Sequence, residues 1–410
     1  MKGEITFCCS DEKLNKGFEW AKKRALKYSH EGDPVGDWYE AALPGRNAFC
    51  MRDVAHHANG AQILGLSGHT KNMLLRFAQS IAESRDFCCF WEIDKQYRPA
   101  PIDYKSDKDF WYNLPANFDV LDACYRMYRL TGDRDYVDSV DFNHFYDLTV
   151  TKYIEKWDKN GDGIPERAAA SSRKGIPSYE EGCATDADIM SDLPSAQARA
   201  FYSYSEIQRI KGNIAAAEKY KTEADRIVHV INTEWWNEEK NVFYFARLPD
   251  GTMKQIDFPR EYLAYFDVIN NEKRLKGFLD GLQRQGEKGV IVEVMSHLSE
   301  IFYMHGEKER GTYWLRRIVD PKLKRRDYPE VSFAAAGDYI FGLMGLSADC
   351  RTKSITCSGL LPEGITFAQA KNIPLFGGTV DLNISNGKTT FLNGTGEAVF
   401  FNDEEVQSAK

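Results

Sequence analysis

Four glycines at the ends of amphipathic stretches constrain this chain more than any other feature. Gly68 in Leu66-Ser-Gly68-His-Thr, Gly132 in Leu130-Thr-Gly132-Asp, Gly212 in Ile210-Lys-Gly212-Asn and Gly306 in Met304-His-Gly306-Glu each close a run whose apolar residues recur three and four apart. Glycine accepts the left-handed backbone that ends a helix, and a polar residue just after it can start the next. The punctuation predicts helical hairpins repeated along the chain.

Helical periodicity runs over 12–28, 54–66, 70–84, 115–130, 134–157, 187–210, 214–236, 260–269, 272–282, 292–305, 308–318 and 331–346, giving about twelve helices in about six hairpins. Paired helices in this number form either an open superhelix or a closed double ring, the (α/α)6 toroid. The intervening segments favour the toroid. Residues 30–52, 86–114, 158–186 and 237–259 are long, unequal and rich in Gly, Pro, carboxylates and aromatics, whereas superhelical repeats are joined by short, similar turns.

After Ser347 the period changes to two, as in Gly378-Thr-Val-Asp-Leu-Asn-Ile and Lys388-Thr-Thr-Phe-Leu around an Asn386-Gly387 turn. The fold class expected is mainly α: an (α/α)6 toroid over 1–346 with a small C-terminal β appendage, 347–410, packed on it. A further hairpin is expected at 242–256, turning at Asp250-Gly251.

The formal net charge of -8, from 53 Lys and Arg against 61 Asp and Glu, argues against a nucleic-acid partner. No apolar run reaches the length of a membrane span, so no membrane partner is expected either. Residues 1–10 lack a basic stretch followed by an apolar one, so they show no export signal, and the compartment stays open between cytoplasmic and exported. The nine cysteines form no C-x-x-C spacing and read as free thiols. Phosphate-loop, dinucleotide, nucleophile-elbow and H-E-x-x-H motifs are all missing. What remains is carboxylate chemistry in the long segments, beside Trp, Tyr and Arg, the mix that stacks and protonates a sugar.

The first such segment contains Trp38 and ends in Arg52-Asp53, where Asp53 either caps a helix or points into the ring; His56 and His57 follow one turn on. The second, with Trp91, Asp103, Tyr104 and Trp111, is the densest aromatic stretch, and its rings serve either the core or a sugar face. Asn113 and Asn117 beyond it either cap the next helix or bind hydroxyls. The third opens with Asp158, Asn160 and Asp162 in the pattern of an EF-hand but reaches its Glu at the ninth position instead of the twelfth. It is therefore read as a rigid Asx-turn loop, with calcium the alternative. The same segment holds Tyr179-Glu180-Glu181, adjacent like charges that raise one pKa, as a general acid requires. Glu330 precedes the last helix, where the helix dipole favours it whatever its task.

These residues resemble the six-hairpin glycosidase superfamily, which includes glucoamylases, trehalases, glucosylceramidase-type β-glucosidases and α-rhamnosidases, over roughly residues 10–346. The resemblance implies a glycoside hydrolase working with paired carboxylates on an oligo- or polysaccharide, inverting as glucoamylases do, and without a cofactor. It implies that Arg52 and Asp53 grip the sugar, that Glu180 after Tyr179 is the general acid with Glu181 its rival, and that Glu330 is the base. Trp38, Trp91, Trp111 and Tyr179 become stacking walls, with Asp103 and His56 further substrate contacts, and Arg46, Arg52 and Arg98 suit a uronic acid. Two other readings stay open. One is an epimerase or lyase on the same toroid using His56, His57 or Tyr104, and the other is a non-enzymatic helical scaffold. Oligomeric state is not read from the sequence.

Overall fold

The structure is a computed structural model that describes residues 1–410 apart from 1, 42, 170–171, 183–185, 288–289 and 410. Six helical segments form an inner ring: Met51–Ile63, Ala116–Thr131, Asp192–Ile210, Tyr262–Tyr265, Val292–Met304 and Pro329–Gly337, the last continuing as a π turn through Asp338–Leu343. Each packs on the next, and the last packs on the first, so the ring closes. The outer ring comprises Glu12–Lys27, Ser67–Ser80, Val140–Leu148 with its continuation to Trp157, Ile214–Thr233, Glu272–Gln285 and Lys308–Ile318. This is the (α/α)6 toroid that the periodicity predicts, and not an open superhelix.

Closure depends on small residues. At Gly60 the first inner helix meets the last so tightly that a Cβ would lie 1.9 Å from the carbonyl oxygen of Phe333, and Gly337 faces Gly60 from the opposite helix. The turns follow the glycine logic with one shift. Gly132, Gly212 and Gly306 take positive φ of 72°, 79° and 77° at helix ends. In the first hairpin, however, Gly65 adopts that conformation, φ 76°, and Gly68 lies inside Ser67–Ser80. Two further expectations are corrected. The 260–269 helix is a single turn, Tyr262–Tyr265, and 134–157 is broken into Asp135–Asp138, Val140–Leu148 and a π turn at Thr149–Tyr153.

The chain from Leu346 onward supplies seven strands to two four-stranded sheets. One carries Phe367–Leu375, Gly378–Ser385 and Lys388–Gly394; its central hairpin turns at Asn386 and Gly387, both at positive φ, as a two-residue primed turn requires. Its edge is completed by the N-terminal strand Thr6–Cys9, antiparallel to Phe367–Leu375 with Cys8 opposite Gln369. The second sheet contains Leu346–Asp349, Ser354–Cys357, Val399–Phe401 and Glu404–Val406, and Phe391 of the first stacks on Phe401 of the second at 4.3 Å. The 242–256 region forms two short ladders, and the one between Ala246–Arg247 and Met253–Lys254 turns at Asp250-Gly251. Among the described residues no helix is long and apolar enough to cross a membrane.

Candidate active site

The long segments all lead into inner helices, so their residues gather at one end of the ring, where the inner helices begin. Helix N-termini carry partial positive charge, which explains why that end tolerates so many acids. Asp53, Glu293 and Glu330 each sit in the first turn of an inner helix. A cleft of about 300 Å³ between them is lined by Arg52, Asp53, Tyr179, Glu180, Glu261 and Glu330, among others. It opens into a second chamber of about 280 Å³ walled by Leu43, Trp91, Asp103 and Trp111.

Tyr179-Glu180-Glu181 is held from several sides. Asp192, at the start of the third inner helix, accepts the backbone N–H of Tyr179 at 2.7 Å and the Ser178 hydroxyl at 3.0 Å. The Tyr179 hydroxyl donates to Asp119 Oδ2 at 3.0 Å. Glu181 Oε1 accepts from Trp111 Nε1 at 3.1 Å and Asn113 Nδ2 at 3.0 Å. Glu180 instead turns toward Arg260, 3.6 Å from its Nε. Burial and then the Glu261 charge raise the Glu180 pKa to about 7, against the pull of Arg260 and Arg52.

Asp53, His57 and Glu330 line the same cleft, with one ligand-type atom of each within 4.8 Å of the others, and such a triangle is also able to hold a metal ion. Burial and the nearby Asp53 charge push Glu330 up to about 8. Burial opposes ionisation of Asp53 too, but the Arg52 guanidinium, 3.5 Å away, offsets it, so Asp53 is held below the ordinary carboxylate value. The pair therefore carries one charge near neutral pH. His57 is buried, lies flat on Phe333 and is driven to about 3 by burial, so it stays a neutral imidazole.

Behind the cleft runs a buried chain. Glu261 lies 3.5 Å from His297 Nδ1, His297 Nε2 contacts His56 Nδ1 at 3.1 Å, and His56 Nε2 is 2.7 Å from Asp119 Oδ2. Burial, and then His297, lower the His56 pKa well below its usual value, while burial raises Asp119 to about 7.

The cleft and its side chamber thus gather Arg52, Asp53, His56, Tyr179, Glu180, Glu181, Glu330, Trp91, Asp103 and Trp111. Trp38 is not among them: its ring is fully buried against His30 and Phe49, donates to Asp33 Oδ2 at 2.8 Å and offers no face to a sugar. Of the arginines read as suited to a uronic acid, Arg46 is bound by Glu92 at 2.9 Å and the exposed Arg98 by Asp94 at 2.9 Å. Burial and a hydrogen bond with Asp103 raise Glu92 to about 9. Tyr104 donates to Asp107 at 2.5 Å and does not line the cleft. Asn113, ahead of Ala116–Thr131, and Asn117, in its first turn, do not cap that helix; Asn117 donates to Phe87 O at 3.0 Å. In the Asx-turn loop, Asp158 accepts from the N–H groups of Gly161 and Gly163, Asn160 from that of Asp162, and Asp162 from that of Ile164.

Sequence reasoning missed Glu261, Glu293, His297, Arg260 and Asp192. Glu293 and Asp192 read as ordinary first-turn acids, and nothing local marks His297 as the partner of a histidine 241 residues away. The one usable signal was Arg260-Glu261 ahead of a short aromatic helix.

No family model matches the sequence, and no curated protein is significantly similar to it. Solved structures are similar in fold. A GH78 family rhamnosidase of Bacillus sp. GL1 superposes with a TM-score of 0.66 at 15% identity, over 95% of this chain and 41% of its own. An α-L-rhamnosidase from Dictyoglumus thermophilum gives 0.63 at 14% identity, over 100% and 48%. A glycosidase variant in complex with glucose gives 0.56 at 11%, over 80% and 95%. The chain spans less than half the length of the two rhamnosidases. Its fold is that of toroid glycosidases, as the resemblance in sequence implies.

Proposed function

We propose that this chain is a glycoside hydrolase in which Glu180 is the general acid and the Asp53–Glu330 pair activates water. The observation that carries this reading is the placement, in the lining of one cleft, of a carboxyl group raised to about 7 and a carboxylate pair that holds a single charge. The protonated Glu180 gives its proton to the glycosidic oxygen as the bond to the anomeric carbon breaks. The ionised member of the pair takes a proton from water as that water attacks the same carbon. The pair titrates as a unit, so the base is the pair and not one residue. Arg52, beside Asp53 and 5.7 Å from the Tyr179 ring centroid, orders the sugar-binding wall. Inversion is the outcome expected from a water-activating pair, and the reaction needs no cofactor.

Glu180 is favoured over Glu181 as the acid because Glu181 Oε1 is already occupied by two N–H donors, whereas the Glu180 carboxyl is the one raised to about 7. The test is hydrolysis of a panel of aryl glycosides and oligosaccharides by the wild type, Glu180→Gln and Glu181→Gln, with the anomer followed by proton NMR. Loss of at least about a hundredfold in Glu180→Gln, the scale of a missing general acid, with first release of the inverted anomer, supports the proposal. Full activity in Glu180→Gln, or release of the retained anomer, defeats it.

A further inference from the structure

The cleft has two adjoining parts, and they differ in chemistry. Arg52, Asp53, Glu181, Glu293 and Glu330 line both and so mark the passage between them. The inner chamber ends on buried His56, His57 and Tyr262 and holds Glu180. The outer chamber adds Leu43, Trp91, Asp103 and Trp111, with Leu43 44% exposed at its rim. At about 300 and 280 Å³, each lies at or below the small end of the range for ligand clefts, about 300 to 1,000 Å³, room for one ring each rather than a chain.

The passage is also short of hydrogen-bond donors. Glu293 Oε2 and Glu330 Oε2 are shielded from solvent without a partner, although Glu293 Oε1 is held by Arg325. A buried acceptor left unmatched is costly, so Glu293 Oε2 calls for an O–H group from a ligand, while Glu330, pushed up to about 8, can itself donate one. Arg46 and Arg52 line the outer chamber against Asp53, Asp103, Glu181 and Glu293, so acids outnumber cations there and an incoming anion is disfavoured.

Resting on the reading of this site as a glycoside hydrolase, we propose that the outer chamber is the leaving-group subsite and binds an uncharged sugar residue against Trp111. The substrate is then a neutral disaccharide or longer chain, with its glycone in the inner chamber and the bond to be cut at the passage. The indole of Trp111, fixed by its N–H to Glu181 Oε1, supplies a rigid face, and Glu293 receives a hydroxyl.

The experiment compares disaccharides of glucose, galactose, mannose and rhamnose with glycosyl fluorides of the same glycones, which carry no leaving-group sugar. Trp111→Ala is expected to lower kcat/KM on the best disaccharide at least tenfold more than on its fluoride, and Trp111→Phe to restore most of that difference. Equal losses on both substrates overturn the subsite, as does equal turnover of a disaccharide whose leaving residue is a uronic acid. Fluoride hydrolysis by the wild type reports on the hydrolase reading independently. If no substrate is turned over, that reading falls, and tryptophan-fluorescence titration still decides the subsite: disaccharide binding at least tenfold tighter than that of either component monosaccharide supports it, and equal affinity overturns it.

Discussion

The carboxylate of Asp192 receives the backbone N–H of Tyr179 at 2.7 Å, one residue before Glu180. A first-turn acid of an inner helix thereby fixes the strip of chain that carries the proposed acid, and the Ser178 hydroxyl adds a second bond to the same oxygen. Asp192→Ala is expected to lower kcat roughly tenfold to a hundredfold with little change in KM, because a small displacement of a catalytic group is costly. Asp192→Asn, which keeps one acceptor, should recover part of the loss. Steady-state kinetics on a disaccharide substrate decide it, and an unchanged kcat in the alanine variant would remove Asp192 from the account.

Ring closure gives a second expectation. The Cβ of Gly60→Ala would meet backbone of Phe333, not the tip of a flexible side chain, so one of two inner helices must move. The cost is about 3 kcal/mol or more. At Gly337 the nearest atom to an added Cβ is 3.3 Å away, and Gly337→Ala should cost clearly less. Urea unfolding of the two variants side by side measures the difference.

The acid of the proposed mechanism must be protonated, so kcat/KM should fall as pH rises through about 7, where Glu180 ionises. Its neighbours move that limb in opposite directions. Arg260 favours the carboxylate form, so Arg260→Met shifts the limb to higher pH; the Glu261 charge opposes it, so Glu261→Gln shifts it to lower pH. Three pH profiles, of the wild type and the two variants, suffice, and shifts of the same sign in both variants would contradict the assignment.

Stability should also depend on pH. Glu92, Asp119, Glu180, Asp192 and Glu330 have pKa values raised to about 9, 7, 7, 7 and 8 in the folded chain, chiefly by burial. A group raised on folding stabilises fully below its unfolded value, and that contribution is lost as pH climbs through the folded one. His56 and His57 are lowered and act the other way, losing stability as pH falls below about 6.5, but they are fewer. The melting temperature is therefore expected to fall by several degrees from about pH 5 to about pH 8. A rise over that interval would show that these carboxyls are not held protonated.

The helices were legible because their apolar period is strong and local: 308–318 matches Lys308–Ile318, and 214–236 overruns Ile214–Thr233 by three residues. Arg52, Asp53 and the Tyr179-Glu180-Glu181 strip were legible because turn residues set them apart. Trp38 was misread because a ring in a loop gives no sign of which side it faces, and here the strand Gly36–Tyr39 turns it inward. The Glu261–His297–His56 chain was not legible because its members come from three helix starts far apart in sequence. The N-terminal strand escaped notice because four residues, Thr6–Cys9, give too short an alternation to separate from coil; their partner lies at the far end of the chain.

That pairing ties the first strand to the last domain-sized segment like a clasp on a bracelet. Removing the residues before Ser10 would bare the backbone of Phe367–Leu375 as an open sheet edge, ready to recruit another chain. Shortening this protein at its head is thus expected to be felt first at its tail, as self-association rather than as loss of the helical ring.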